Sequence, residues 1–131
     1  MDDEIRIWVR WDINRTSRNR MEGLHWAEKR RLDRAATEAA RIAWMIGGSP
    51  RIEVPVRVDI VIRRARKLDP DNALSGCRSL INGLFKDALT PDDSPEWLTI
   101  GEVRQETAGE HKHRESVEFI IRSKEGVDSR Q

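Results

Sequence analysis

Two segments of the chain alternate apolar and polar residues, a period-two pattern that predicts β-strands with one buried face. The first runs from Ile5 to Trp11, and the second, rich in β-branched residues, from Val54 to Ile62. Shorter apolar segments predict a third strand over roughly Trp97 to Gln105 and a fourth around Phe119. We therefore expect four strands.

Two other segments repeat apolar residues every three or four positions, which predicts amphipathic helices. The first extends from about Leu24 to Ile46, and the Gly47–Pro50 segment is expected to end it. The second helix begins near Ala73, and its apolar stripe includes Cys77. We therefore interpret Cys77 as a core residue rather than a nucleophile. Residues 12–23 and 107–114 are predicted to be loops.

The order of elements, β-α-β-α-β-β, predicts an α/β fold: an α+β sandwich in which two helices cover one face of a sheet. The length of 131 residues suits a single domain, residues 1–131, with a frayed tail from about residue 124. The five tryptophans are expected to be core or dimer-interface anchors.

Cys77 is the only cysteine, so an intramolecular disulfide or a cysteine-based zinc site is excluded. The chain has no apolar run near the roughly 20 residues of a membrane span. Its acidic start, Met1-Asp2-Asp3-Glu4, is unlike a signal peptide. The sequence therefore predicts a cytoplasmic protein of a bacterial or phage-infected cell, with no membrane partner.

The net charge of +1 hides an uneven distribution. Residues 1–67 contain sixteen Lys or Arg and ten Asp or Glu, whereas residues 68–131 contain eight and thirteen. Such an asymmetry suits a protein that binds an anion through its basic half and a cation through its acidic half. Two solvated faces of ordinary charge would give the same counts, so the charge pattern alone leaves both interpretations open.

Acidic residues cluster around the second predicted helix, at Asp69 and Asp71 before it and at Asp92 and Asp93 beyond it. Neighbouring carboxylates repel one another unless a cation holds them together, and Mg²⁺ prefers carboxylate oxygens. A structural interpretation competes with this one. An Asp-Pro-Asp-Asn sequence also supplies a turn and an N-cap, from Asp71 or Asn72.

The combination of Asp69-Pro70-Asp71-Asn72, a helix with a basic residue, and Asp92-Asp93-Ser94 resembles the RusA family of Holliday-junction resolvases. The similarity covers about residues 60–105. It implies that Asp69, Asp71 and Asp93 bind a catalytic Mg²⁺, for which Mn²⁺ is a possible substitute, with no small-molecule cofactor. Asn72 and Asp92 are then expected to support these ligands.

The family also places a catalytic lysine on this helix, and the matching position here is Arg78. Because Arg78 follows Asp71 by seven residues, we expect both on nearly the same helix face. Arginine neutralises a phosphate but is a poor proton donor, so Lys86 is an alternative to Arg78.

The resemblance implies paired, symmetric nicks in four-way DNA junctions, which call for a homodimer with two-fold symmetry. The second strand and the first helix are candidates for its interface. DNA phosphates are expected to contact basic residues in three parts of the sequence: before the first helix, directly before the acidic motif, and near the end of the second helix. These are Arg15, Arg18, Arg20, Arg63, Arg64, Arg66, Lys67 and Lys86. A DNA-binding module without cleavage, or a metal-dependent nuclease for other branched DNA, are the alternative functions.

Overall fold

The computed structural model describes residues 4–107 and 115–124. Most of the predicted 107–114 loop and all but the start of the predicted tail lie outside the described residues. Within the described residues, four strands form one sheet in the order β1-β4-β2-β3. They are β1 (Glu4–Val9), β2 (Val56–Arg64), β3 (Leu98–Thr107) and β4 (Ser116–Ser123). β2 and β3 are parallel, and β4 is antiparallel to both of its neighbours, β1 and β2.

The helices correct two sequence-based predictions. The segment expected to be a loop contains a 3₁₀ turn (Ile13–Thr16) and helix α1 (Arg18–Glu22), and the side chain of Asp12 starts the turn by accepting from the Asn14 N–H. The long helix α2 (Trp26–Ile46) lies as expected. The last predicted helix is two helices, α3 (Pro70–Gly76) and α4 (Arg78–Phe85).

Helix α2 has a defined start and end. At its start, Nδ1 of His25 accepts a hydrogen bond of 3.2 Å from the Ala27 N–H. At its end, Gly47 is the C-cap and Gly48 has a φ of 96°, a backbone conformation that favours glycine. Neither α2 nor any other helix within residues 4–107 and 115–124 is long and apolar enough to cross a bilayer.

One face of the sheet forms the core. Alternate residues of the strands are buried against α2 and α4; among them are Val58 and Ile60 of β2 and Phe119 of β4. From the helices, Ala40, Leu84 and other small or branched side chains complete the cluster. The prediction of a single α+β domain with a sheet covered by helices is therefore confirmed.

The other face of the sheet carries a chain of ion pairs. Arg63 pairs with Glu106 and with the buried Glu118, and Arg6 continues the chain from Glu118 to Glu4. Arg122 then links Glu4 to Asp59. These charged side chains cover the apolar residues Val61 and Ile120, which are buried on the face of the sheet opposite the core.

The tryptophans divide into two groups. Trp11 is buried, and Trp44 and Trp97 are partly buried, as expected of core anchors. Trp8 and Trp26 are 55% and 61% exposed, so they are not core residues, and for them the alternative of dimer-interface anchors stays a prediction. The guanidinium of Arg63 lies 4.6 Å from the Trp8 ring centroid, a cation–π contact on the open face of the sheet.

Cys77 is fully buried in the core cluster between α3 and α4, as its place in the apolar stripe predicted. Burial raises the pKa of its thiol to about 12, because the interior disfavours the thiolate. We expect the folded protein to resist iodoacetamide at pH 8, since only the thiolate reacts. Mass spectrometry should detect one carbamidomethyl group after denaturation in urea and none before it. Rapid labelling of the native protein would contradict a buried thiol.

Candidate active site

Helix α3 presents two of the predicted acids at its first turn. Asp69 is the N-cap residue, Pro70 occupies the first turn, and Asp71 follows. Both aspartates are exposed, and the Asp69 carboxylate makes no capping hydrogen bond. Within the described residues, neither carboxylate has an ion-pair or hydrogen-bond partner. Two like charges thus face solvent together at the start of α3.

Asn72 has a different role from the predicted cap. Its Oδ1 accepts a hydrogen bond of 3.2 Å from the Asn19 N–H, and the neighbouring Ser75 Oγ accepts one of 3.0 Å from the Arg18 N–H. Both contacts satisfy backbone N–H groups in the first turn of α1, which would otherwise lack partners. The side chains of α3 therefore fix α1, with its exposed Arg18 and Arg20, beside the acidic motif.

The break between α3 and α4 separates Arg78 from Asp71. Cys77 ends α3 and begins α4, with φ −85° and ψ −11°. The expectation of a shared helix face assumed one continuous helix, whereas the structure has two. Instead, Arg78 lies with Asp93 in one cavity, while Asp71 lines another.

The first cavity, of about 500 Å³, is bounded by α2, α4 and the start of β3. Its polar side chains are those of Arg78, Asp93, Asp33 and Asn82, and Ser79 Oγ donates a hydrogen bond to Asp33 Oδ1. Apolar side chains, including Leu98, form the remaining wall. A guanidinium and two carboxylates that line one cavity could hold a phosphate beside a cation.

The second cavity, of about 520 Å³, lies between the start of α3 and β3. It combines Asp71 with Lys67 from the preceding segment and with Glu102 and Arg104 of β3. Leu74 lines both cavities and therefore lies between Asp71 in one and Asp93 in the other. The parallel pairing of β2 with β3 brings the α3 start and β3 together.

The described part of the chain contains no group of three or more His, Cys, Asp or Glu side chains placed to hold a metal ion. Magnesium does not require such a group, because it is commonly held by one or two carboxylates, water and substrate phosphate. Asp69, Asp71 and the half-buried Asp93 have the chemistry for this. The backbone carbonyl of Asp92 accepts a 2.7 Å hydrogen bond from the Thr90 hydroxyl, and this contact fixes the turn before Asp93.

The predicted DNA-contacting cations fall into two groups. Arg63 is engaged by Glu106 and Glu118, and Arg64 binds Asp12 at 2.8 Å and the Arg66 carbonyl. Arg63 and Arg64 therefore have a structural role, because each is held by an ion pair within the fold. The others are exposed and, within residues 4–107 and 115–124, form no ion pair; they are Arg15, Arg18, Arg20, Arg66, Lys67 and Lys86.

Lys86 and Arg78 lie at opposite ends of α4. Lys86 follows the last residue of the helix and lines neither cavity, and its carbonyl accepts from Arg41. Arg78 is the first residue of α4 and lies beside Asp93. The geometry therefore favours Arg78 over Lys86 as the cation of the site.

Sequence reasoning missed two acidic residues of the cavities, Asp33 on α2 and Glu102 on β3. The only signal for Asp33 was its position three residues before the buried Ala36 and seven before the buried Ala40, a spacing that puts it on the same face of the helix. It also missed the exposed Trp26 near the basic N-terminal half of α2, where Arg30 lies over its ring.

The fold and the site together define a two-layer α+β domain with exposed carboxylates beside a basic helix. Comparison with protein-family models, with curated proteins and with solved structures found no match.

Proposed function

We propose that this protein is a Mg²⁺-dependent, structure-selective endonuclease that resolves four-way DNA junctions, an activity of the RusA type. One observation carries the proposal: Asn72 and Ser75 bind α1, with its exposed arginines, to α3, whose two acids have no partner among residues 4–107 and 115–124. A phosphodiester hydrolase needs this juxtaposition, because it must grip a phosphate next to its metal ligands. The resemblance of the acidic motifs to the RusA family supports the same function.

Each residue has a chemical task in this proposal. Asp69 and Asp71 would hold Mg²⁺ together with water and the substrate phosphate, and Asp93 would act from the neighbouring cavity, across Leu74; the bound ion would lower the pKa of a water and stabilise charge on the phosphate. A carboxylate oxygen that does not bind the metal would accept the proton of the attacking water. The guanidinium of Arg78 neutralises charge that develops on the phosphate oxygens, since it cannot donate a proton.

The activity is tested with a labelled four-way junction, a three-way fork and a linear duplex of the same sequence, each incubated in Mg²⁺ or in EDTA. We expect paired nicks in the junction only, and only with the metal. Equal cleavage of the fork would show that the protein is a nuclease with a broader specificity for branched DNA. Tight binding without cleavage in Mg²⁺ or Mn²⁺ would reject an enzyme.

A DNA-binding module without cleavage is the second candidate. Two observations favour it: within the described residues no three acids converge on one point, and Arg78 occupies the position that corresponds to the family lysine. Against it stand the exposed Asp69 and Asp71, because a pure binder gains nothing from carboxylates that repel phosphate.

The arginines of α1 should contribute to DNA affinity through phosphate contacts. We expect the Arg18→Ala, Arg20→Ala double variant to reduce the slope of log K against log salt concentration by roughly two units, one for each lost contact. Fluorescence anisotropy with a labelled junction measures this slope. Arg51→Ala is the matched control, because Arg51 is paired with Glu53 and lines neither cavity. An unchanged slope in the double variant would place the DNA elsewhere.

A further inference from the structure

Helix α2 begins with an exposed aromatic residue among arginines. Trp26, its first residue, is 61% exposed, and a cavity of about 240 Å³ opens beside it. We call the residues that line this cavity the Trp26 platform; they are Trp26, Ala27, Arg30, Arg31 and Arg34. None of them lines either cavity of the candidate active site.

Helical spacing places the ring and two of the arginines on one stripe. Trp26, Arg30 and Arg34 follow one another at intervals of four residues, so they are neighbours on the surface of α2. The guanidinium of Arg30 lies 5.6 Å from the centroid of the Trp26 ring. The stripe therefore combines an exposed aromatic ring with two cations along about 12 Å of helix.

The arginines of this stripe are not neutralised by acids. Arg31 forms an ion pair with Glu28 at 3.1 Å, whereas Arg30 and Arg34 form none within the part of the chain that the structure describes. Like charges four residues apart on a helix repel each other. A polyanion that lies along the stripe would remove this repulsion, so the charge favours such a ligand.

A second exposed tryptophan lacks this excess of charge. Trp8 is 55% exposed, and the guanidinium of Arg63 lies 4.6 Å from the centroid of its ring. There, however, Glu106 and Glu118 both form ion pairs with Arg63 and neutralise it. Both tryptophans thus offer an exposed ring, but only Trp26 has unneutralised cations beside it.

We infer that the Trp26 platform binds an unpaired strand of DNA: one base stacks on Trp26, and neighbouring phosphates contact Arg30 and Arg34. Aromatic stacking and basic side chains are the combination by which proteins bind single strands. A base inside a duplex already stacks on its neighbours with both faces, so the ring distinguishes an unpaired base from a paired one. An apolar partner is disfavoured, because the other large exposed apolar side chains of α2 lie near its opposite end.

The inference rests on the proposed function only in its choice of DNA as the polyanion, and it adds a site for the unpaired part of a branched substrate. Asp33, which lines one cavity with Arg78 and Asp93, follows Trp26 by seven residues. It therefore lies about 10 Å further along α2, on nearly the same face. An unpaired strand that continues from Trp26 along this face would reach that cavity.

Fluorescence anisotropy in EDTA measures this binding without cleavage. The probes are a labelled oligo(dT) of about 12 nucleotides, a length that single-strand sites commonly cover, and a duplex of the same length. We expect Trp26→Ala to lower the affinity for oligo(dT) by about 5- to 100-fold, the usual contribution of one stacked base, and to leave duplex affinity within about twofold. Trp26→Phe keeps a ring and should retain most of the affinity. Trp8→Ala is the matched control and should bind both probes as the wild type does.

The salt dependence of oligo(dT) binding tests the phosphate contacts. The Arg30→Ala, Arg34→Ala double variant should reduce the slope of log K against log salt concentration by about 1.4, since each lost contact to a single strand accounts for about 0.7. Trp26→Ala should leave the slope unchanged, because stacking on a ring releases no counterions. Arg51→Ala, whose arginine pairs with Glu53 outside the platform, should behave as the wild type.

Several results would overturn the inference. A wild type that does not bind oligo(dT), or a Trp26→Ala variant that binds it with unchanged affinity, would exclude a single-strand site at Trp26. An equal loss of affinity for the duplex would show that the ring does not recognise an unpaired base. Polyglutamate binding that depends equally on Trp26 would assign an acidic protein partner instead. A protein that binds oligo(dT) through Trp26 but cuts no junction would leave this inference intact and reject the proposed function.

Discussion

Asp71→Asn should abolish cleavage of the four-way junction while leaving junction binding intact. The substitution removes the carboxylate charge that we propose as a metal ligand in the first turn of α3, but it keeps the shape of the side chain. A metal supplies several kcal/mol of transition-state stabilisation, and each 1.36 kcal/mol corresponds to a tenfold change in rate. We therefore expect a loss of at least about 10²-fold in single-turnover rate. Binding should be equal or tighter, since one negative charge facing the phosphates is gone.

Asp87→Asn is the matched control for this measurement. Asp87 is exposed, lines neither cavity, and has a φ of 59°, which asparagine tolerates well. Its variant should cleave at the wild-type rate. Full cleavage by Asp71→Asn would show that the active site lies elsewhere. A rate that falls equally in both variants would indicate a general electrostatic effect rather than loss of a ligand.

Gly83→Ala should be among the most destabilising small substitutions in this fold. Gly83 lies where α4 crosses α2, and an added Cβ would stand 2.5 Å from the Thr37 carbonyl oxygen and 3.0 Å from the Ala40 Cβ. The carbonyl belongs to the helix backbone, so the two helices must move apart. Overpacking costs roughly 1–3 kcal/mol, and the higher helix propensity of alanine offsets about 1 kcal/mol. Because the clash at 2.5 Å is with helix backbone, the cost should lie at the upper end of this range, about 3 kcal/mol, which leaves a net loss of about 2 kcal/mol in the free energy of unfolding.

Urea denaturation measures this loss, with Gly23→Ala as the control. An added Cβ at Gly23 would meet no atom within 4 Å, and its φ of −85° suits alanine. That variant should be unchanged or slightly more stable, because alanine restricts the unfolded chain. If Gly83→Ala were as stable as the wild type, α2 and α4 would have to pack less closely than they do here.

The tertiary structure decided what the acidic motifs and their neighbours do. Local spacing predicted that Asp71 and Arg78 share a helix face, but the break at Cys77 places them in different cavities. Asn72 looked like a local cap, yet its partner is the backbone of Asn19, which is 53 residues away in sequence. Neither outcome follows from local propensity, because each depends on how distant segments pack.

The sequence by itself determined the strands, the long helix and the buried position of Cys77. A period of two or of three to four fixes which face of an element is apolar, and that face must be buried wherever the element packs. It could not determine the sheet order, which leaves β1 at an edge and β2 inside, or the proximity of Asp33 to Asp93. These features depend on pairing between residues far apart in the chain, and only the folded structure brings them together.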